Sequence, residues 1–313
     1  MHGPTLRAGH PADFPDDEPV MSSPSRHSSL APGKTGTLYV VATPIGNLED
    51  ITLRALRILK EAALVACEDT RHTAKLLHYY GISTPRESYH EHNEAEKTPR
   101  LLAMLLEGKS IALVSDAGTP LVSDPGYRLV SACRQASIPV TPVPGASAAI
   151  AGLCACGLPT DTWLFAGYPP ARAAARRDWL ARLAPLESTL VFYEAPHRLL
   201  ACLEDMLAIL GPRRACLGRE VTKLHEEWVQ GTLADILDSM AKRPRLQGEM
   251  TLLVDRAAPS KDVTSRPDSI IEHLDQVMAA QGLPQKGALK EVARQRGLTR
   301  REAYRQLLAE KRP

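Results

Sequence analysis

The chain has 313 residues, 44% apolar and 24% charged, with a net charge of +2; this length exceeds one ordinary domain and leaves room for a cleft between two. No uninterrupted apolar stretch is long enough to cross a bilayer, which argues against a membrane-spanning protein and implies a cytosolic one. Six cysteines (Cys67, Cys133, Cys154, Cys156, Cys202 and Cys216) lie mostly within apolar segments and lack paired zinc spacing, so reduced core thiols are expected, with Cys154 and Cys156 on a helix.

In chain order, the first 36 residues are rich in Pro, Ser, Gly and His without apolar periodicity and are expected to be disordered. They lack the apolar core of a signal peptide, and Met21 offers a second possible start. From residue 37, apolar runs bounded by turn signals (LYVVATPIGN, LVACED, SIALVSDAG, VTPVPG) alternate with helical stretches, an α/β pattern. Asp50 is placed to cap the first helix, whose apolar side carries Ile51, Ala55, Ile58, Leu59 and Ala62. TPIGN, SDAGTPLVSDPG (115–126) and PVPGASA (142–148) all sit where a strand meets a helix, the position at which open α/β sheets gather ligands, so three loops are expected to line one crevice. In YHEHNE (89–94), His90, His92 and Glu94 alternate like metal ligands on a strand face. Nothing supplies a firm fourth ligand, and the stretch is taken as a polar loop or substrate contact without metal.

After Gly157 a second series begins, with strands in WLFAGYPP, TLVFYEAP, RRACLGREVT and QGEMTLLVDRA and helices over 172–186, 197–210 and 231–241. The stretch 258–267 reads as a linker. Beyond it, Leu289, Val292 and Ala293 form one apolar stripe and Ala303, Tyr304, Leu307 and Leu308 another, separated by a turn at Gly297 and a Thr299–Glu302 capping box. This predicts a helix-turn-helix. Residues 284–313 hold nine Lys/Arg against three Glu, leaving 29 basic and 33 acidic residues before them, so the tail is basic and suits nucleic acid while the body is slightly acidic. The expected organisation is a disordered segment 1–36, an α/β domain 37–157, a second α/β domain 158–257, a linker 258–267 and a basic helix-turn-helix 268–313.

No G-x-G-x-x-G follows a strand and no G-x-x-x-x-G-K-[ST] occurs, which removes the usual support for a dinucleotide or P-loop site. Glycine and proline loops with a few acids suit a small zwitterionic ligand, its ammonium or sulfonium facing carboxylates and its adenine and ribose held by backbone; S-adenosylmethionine fits that description.

TPIGNLEDIT, CEDTRHT, SDAGTPLVSDPG, PVPGASA and FYEAPHR, in this order and spacing, closely resemble the ribosomal RNA small subunit methyltransferase I family. The resemblance runs from about Leu38 to Ala257. It implies an α/β, two-domain tetrapyrrole-methylase-like fold with a C-terminal helix-turn-helix, binding S-adenosylmethionine as a homodimer. The implied substrate is 16S rRNA of the small ribosomal subunit, methylated on the ribose 2′-oxygen of a decoding-region cytidine, cytidine 1402. By the same resemblance the cofactor loop is Ser115, Asp116, Ala117, Gly118, Thr119, Pro120, Val122 and Ser123. Pro44, Ile45 and Gly46 form one wall and Ala146 and Ser147 another, with Phe192, Tyr193, Val221 and Met250 reaching the adenine or ribose.

For an in-line displacement, positioning carries most of the acceleration and a base assists the hydroxyl. CEDTRHT supplies Glu68, Asp69, Arg71 and His72, and REVTKLHEE supplies Glu220, Lys223 and Glu226. Lys223 or Glu220 is favoured as proton acceptor and the first cluster as a contact to RNA, the alternative for each being a surface ion-pair network. Arg176 and Arg177 follow the Tyr168-Pro169-Pro170 corner and are expected on phosphates; the alternative is a solvated helix face. His197 and Arg198 either cap a helix or touch RNA, and Arg300 and Arg301 lead the basic face of the tail. Two other function classes fit parts of the pattern: a tetrapyrrole-precursor methyltransferase, for which the basic tail has no use, and a nucleotide-sensing DNA-binding regulator, for which acids and Lys223 beside the loops have none.

Overall fold

A computed structural model describes residues 35–258 and 269–310; the expected disordered segment, up to residue 34, and nearly all of the expected linker lie outside the described residues. Contacts divide the chain into two compact units. The first runs to Val41 and includes Leu56–Val114 and Pro125–Val143; the second contains Ala42–Ala55, Ser115–Asp124 and the chain from Pro144 onward.

The first unit is built on five parallel strands in the order β3-β2-β4-β1-β5: β1 Leu38–Val41, β2 Leu64–Cys67, β3 Arg86–Ser88, β4 Ile111–Val114 and β5 Val140–Val143. β2 (LVAC) and β4 (IALV) are buried at every position, as parallel strands covered on both faces must be. The edge strand β3 is the polar tripeptide Arg-Glu-Ser, too short and too charged to announce itself. Helices α1 Leu53–Glu61, α2 Thr70–Tyr79, α3 Glu94–Leu106 and α4 Tyr127–Gln135 connect the strands. Asp50 does not cap α1: it ends a one-turn 3-10 helix, Leu48–Asp50, and Thr52 Oγ1 accepts from the Ala55 amide at 3.1 Å instead. In the 89–94 stretch, Asn93 Nδ2 lies 3.0 Å from His90 Nε2 and the Asn93 side-chain oxygen accepts from the His90 amide, fastening the turn into α3.

The second unit carries a mixed sheet in the order β6-β7-β10-β8-β9: β6 Trp163–Gly167, β7 Thr189–Glu194, β8 Arg214–Arg219, β9 Glu227–Thr232 and β10 Met250–Val254. Only β6 and β7 are parallel. Helices α6 Ala173–Leu183, α7 Leu199–Leu210 and α8 Leu233–Ala241 pack a core on one face through Leu180, Leu203, Met206 and Ile236. Helix α5 Ala148–Ala155 covers the other face against Val191, Cys216 and Leu253, so residues 144–157, expected with the first domain, pack in the second unit. Cys154 lies on α5 and is exposed, Cys156 follows its last turn, and none of the six cysteines forms a disulfide; burial pushes the thiols of Cys133 and Cys216 up to about 11.

The tail is a bundle of three helices, α9 Ile270–Gln281, α10 Gln285–Arg296 and α11 Arg300–Glu310. Leu289, Val292, Ala293, Ala303 and Leu307 are buried together with Ile270, Leu274 and Val277 of α9. Tyr304 and Leu308, expected in the buried stripe, are 54% and 46% exposed, because α11 is covered along one narrow edge. The Thr299–Glu302 box is formed, with Glu302 Oε2 accepting from the Thr299 hydroxyl at 2.6 Å and from its amide at 2.8 Å.

Arg176, expected on phosphates, is instead a core residue. Its side chain is 5% exposed; Nε donates to Asp205 Oδ2 at 2.7 Å, and the remaining donors reach the carbonyls of Ala171 and Ala201. A guanidinium on α6 this close to α7 finds no water, so the helix-helix contact closes over it. Burial pushes the Asp205 carboxyl up, but hydrogen bonds from Arg177 and Arg176 outweigh it and hold it below the usual range. Asp205→Ala strands the buried cation and should cost about 3 kcal/mol, read as a lower urea midpoint. Because the folded value is depressed, this contribution is present above the ordinary carboxylate range and is lost as pH falls toward the folded value, a dependence that Asp205→Asn should lack.

Candidate functional site

Three loops leave the carboxyl ends of the adjacent strands β4, β1 and β5. Thr43 and Gly118 exchange both backbone hydrogen bonds, Thr43 N donating to Gly118 O at 2.9 Å and Gly118 N to Thr43 O at 3.0 Å. The Thr119 hydroxyl donates to Ala146 O at 3.2 Å, which ties in the third loop. Ser115 is buried and its hydroxyl donates back toward Ala117 O, bending the chain after β4. Gly118 sits at φ +82, and a Cβ there would lie 3.3 Å from Ile45 Cγ2, so a glycine is required both by conformation and by approach.

These loops and the second sheet enclose a cavity of about 310 Å³. Of the residues expected there, Ile45, Asp116, Ala117, Gly118, Thr119, Val122, Ser123, Ser147, Tyr193 and Met250 line it. Pro44, Gly46, Ser115, Pro120 and Ala146 belong to the loops but not to the lining. Phe192 is fully buried on the opposite face of β7, edge-on to Trp179 at 5.7 Å; side chains alternate along a strand, so Tyr193 takes the cavity side. Val221 is buried outside the lining, between Glu220 and Thr222, both with left-handed backbone.

The lining also includes residues the sequence reading did not assign to the cofactor: Asp124, Ala148, Tyr168, Glu194, Ala195, Pro196, Gly248, Glu249 and Thr251. Asp124 and Glu194 stand inside motifs already recognised, SDPG and FYEAPHR, which was the signal for them. Gly248 and Glu249 had none, since QGEMT reads simply as the start of a strand. Tyr168 and Tyr193 stack edge-on at 5.6 Å, and the Tyr193 hydroxyl accepts from the Ala149 amide at 3.1 Å. Burial raises both phenols, with the charge of Asp124 adding to each. Burial pushes the Asp124 carboxyl up to about 6; a hydrogen bond with Ser115 acts in the other direction and the charge of Asp116 adds to the rise. Glu194 is almost wholly buried, its Oε1 accepting from the Ala195 amide at 2.8 Å and pairing with Arg198 Nε at 3.3 Å.

Glu220 and Lys223, expected to supply the proton acceptor, form a closed network outside the lining. Lys223 Nζ donates to Glu220 Oε1 at 2.8 Å and Glu249 Oε2 at 3.1 Å, and Glu220 Oε1 accepts from the Glu249 amide at 2.9 Å. Burial pulls the Lys223 ammonium down, but its two carboxylate partners outweigh it and the net shift is upward; Glu220 is held down chiefly by Lys223. An ammonium made harder to deprotonate is a poor base. Gly46 lets the Lys223 stem pass, since a Cβ there would lie 2.2 Å from Lys223 Cγ.

Of the residues expected on RNA, Arg71 and His72 are exposed on α2 of the first unit, where Asp69 caps the helix by accepting from the Arg71 amide at 2.8 Å and also pairs with its guanidinium. Glu68 precedes that cap and is half-buried. His197 is exposed, and Arg198 precedes α7 with its guanidinium turned to Glu194 and the Pro169 carbonyl, so it holds the protein's own backbone. Arg177 is exposed beside Asp205; Arg300 and Arg301 are exposed at the start of α11.

Residues 37–237 match the family described as Tetrapyrrole (Corrin/Porphyrin) Methylases. The ribosomal RNA small subunit methyltransferase I of Halalkalibacterium halodurans is 46% identical over 272 residues, covering 86% of this chain and 93% of its own length. Its counterpart from Pseudomonas aeruginosa is 46% identical over 275 residues, covering 87% and 97%. The chain belongs to the ribosomal RNA small subunit methyltransferase I family. It is therefore a methyltransferase, with the tetrapyrrole-methylase fold. The crystal structure of uroporphyrin-III-C-methyltransferase from Thermus thermophilus is similar with a TM-score of 0.50 and 26% identity, covering 71% of this chain and 92% of that one.

In this methyltransferase the Thr43–Gly118 exchange predicts its own test. Gly118→Val puts a β-branched residue in a left-handed backbone against Ile45 and should destabilise by about 2 kcal/mol, measured by urea unfolding, whereas Gly81→Ala, a glycine at φ +62 with open space around its Cβ position, should cost about 1 kcal/mol.

Proposed function

We propose that this enzyme transfers the methyl group of S-adenosylmethionine to the ribose 2′-hydroxyl of cytidine 1402, in the decoding region of 16S rRNA. The observation that carries the reading is that a chain of this family places ten of the expected cofactor residues around one cavity. The cavity fits such a donor. Its lining holds four carboxyl side chains, Asp116, Asp124, Glu194 and Glu249, and no lysine or arginine, which favours a cationic ligand and disfavours a phosphate. Bound S-adenosylmethionine supplies an electrophilic methyl carbon on a positively charged sulfur.

The chain's own groups do the rest. The loop amides and the Tyr168 and Tyr193 rings fix position, and Ile45, Val122 and Met250 keep water from the reacting atoms. Lys223 holds Glu220 and Glu249 in place rather than moving a proton. RNA is gripped by exposed polar and basic side chains: Arg71, His72, Arg177 and His197 on the body, and Lys286, Lys290, Arg300, Arg301 and Arg305 on the tail. A homodimer in the cytoplasm belongs to the same reading through the family resemblance, and light scattering tests the dimer.

The decisive assay incubates the protein and tritiated S-adenosylmethionine with undermodified small subunits, duplex DNA or a porphyrin precursor. Label should enter 16S rRNA and survive alkali in a dinucleotide, because a 2′-O-methyl group blocks cleavage; label in the porphyrin alone overturns the reading. Ser147→Trp, at the cavity wall on the residue before α5, should abolish S-adenosylmethionine binding in calorimetry with the unfolding midpoint nearly unchanged. Arg300→Glu with Arg301→Glu should leave donor binding intact and lower the magnitude of the log–log salt slope for subunit binding by about 0.7 to 0.9 per lost contact. An unaltered slope assigns the tail another role.

A further inference from the structure

Six titratable side chains line the cavity: Asp116, Asp124, Tyr168, Tyr193, Glu194 and Glu249. Methyl transfer to a hydroxyl ends with one proton to place, and most of these groups are already committed. Glu249 pairs with Lys223, and Glu194 accepts from the Ala195 amide and forms an ion pair with Arg198. The phenols of Tyr168 and Tyr193 are raised by burial and stay protonated. We propose that Asp124 is the proton acceptor of the reaction, touching the ribose 2′-hydroxyl on the aromatic side of the cavity. This rests on the functional reading above and adds the residue that completes it.

Placement argues for Asp124. Leu121 and Ser123 just before it both have left-handed backbone, φ +72 and +67, a conformation costly for side chains that carry a Cβ and kept where the loop must aim a group. It lines the same cavity as Tyr168 and Tyr193, the two rings against which a nucleoside can stack, and its charge raises both phenols. The charged and titratable neighbours are Asp116 on its own loop, Tyr168 after β6, Tyr193 and Glu194 on β7, and Glu249 before β10; none is a cation, and no lysine or arginine is among the groups acting on it. Desolvation carries its pKa to about 6, so it is ionised at neutral pH and yet more basic than an ordinary carboxylate.

The step balances. A lone pair of the 2′-oxygen forms the bond to the methyl carbon, the carbon–sulfur bond breaks with its electron pair left on sulfur, and the hydroxyl proton passes to a carboxylate oxygen of Asp124 and then to water.

Single-turnover methylation of undermodified small subunits by the full chain, followed from about pH 5 to 9, tests it. The wild-type rate should fall on the acid side with a midpoint near 6. Asp124→Asn should lose that limb and at least about a hundredfold in rate, with subunit KM and donor affinity within about threefold, and Asp124→Glu should restore the limb. A second readout needs no turnover. In calorimetry at pH 6, run in buffers of different ionisation heat, S-adenosylmethionine binding should release protons from the wild type and none from Asp124→Asn, since a cation in the cavity ionises the carboxyl. An acid limb that persists in Asp124→Asn, a limb lost in Asp116→Asn instead, or equal proton release from both proteins overturns the assignment. Wild-type protein that labels no ribosomal RNA at any pH overturns the functional reading, and that control separates the two failures.

Discussion

The two hydrogen bonds exchanged by Thr43 and Gly118 turn separate strand-to-helix connections into one wall. Parallel strands deliver their carboxyl ends to the same side of a sheet, but they leave the loops beyond them free to diverge. One antiparallel bridge between the loops after β1 and β4, and one hydrogen bond from the Thr119 hydroxyl to Ala146 O on the loop after β5, remove that freedom. Both fasteners use backbone atoms on at least one side, so side chains at these positions can stay small and the backbone can approach a ligand closely.

Charge in the second unit is arranged around that wall. Asp205 is answered by Arg176 and Arg177, Glu227 by Arg219 and Arg243, Glu194 by Arg198, and Glu220 and Glu249 by Lys223. The cations all stand outside the cavity lining, while four acids contribute to it. The interior is therefore biased toward a cationic ligand while two of its acids, Glu194 and Glu249, are neutralised from behind, which limits the desolvation cost of gathering them. No lysine or arginine is among the groups acting on Asp124, and burial raises its carboxyl to about 6.

The basic tail is organised independently of this chemistry. Its three helices bury their own apolar core, and Glu310 returns to Ser269 to close the bundle, so the exposed lysines and arginines need no support from the body to be displayed.

Some of this was determined by sequence alone. Local chemistry decided what depends on neighbours along the chain: the glycine-proline loops after apolar strands, the Thr299–Glu302 cap and the helices of the second unit; the ten residues that line the cavity were named through the family resemblance of their motifs. The edge strand β3 and the strand β9 were missed, because three polar residues and the sequence EWVQGT carry no apolar run. What remained undecided depends on which face a side chain takes once both faces are covered. TLVFYE is apolar without alternation, so nothing in it says that Phe192 packs on Trp179 while Tyr193 meets the cavity. An arginine on a helix reads as solvated, and only α7, bringing Asp205, makes Arg176 a core residue. Likewise Lys223 looks free in REVTKLHEE until β10 brings Glu249 to it from 26 residues away. Tertiary structure decided these because burial and charge pairing are made by partners remote in the chain, and periodicity carries no record of them.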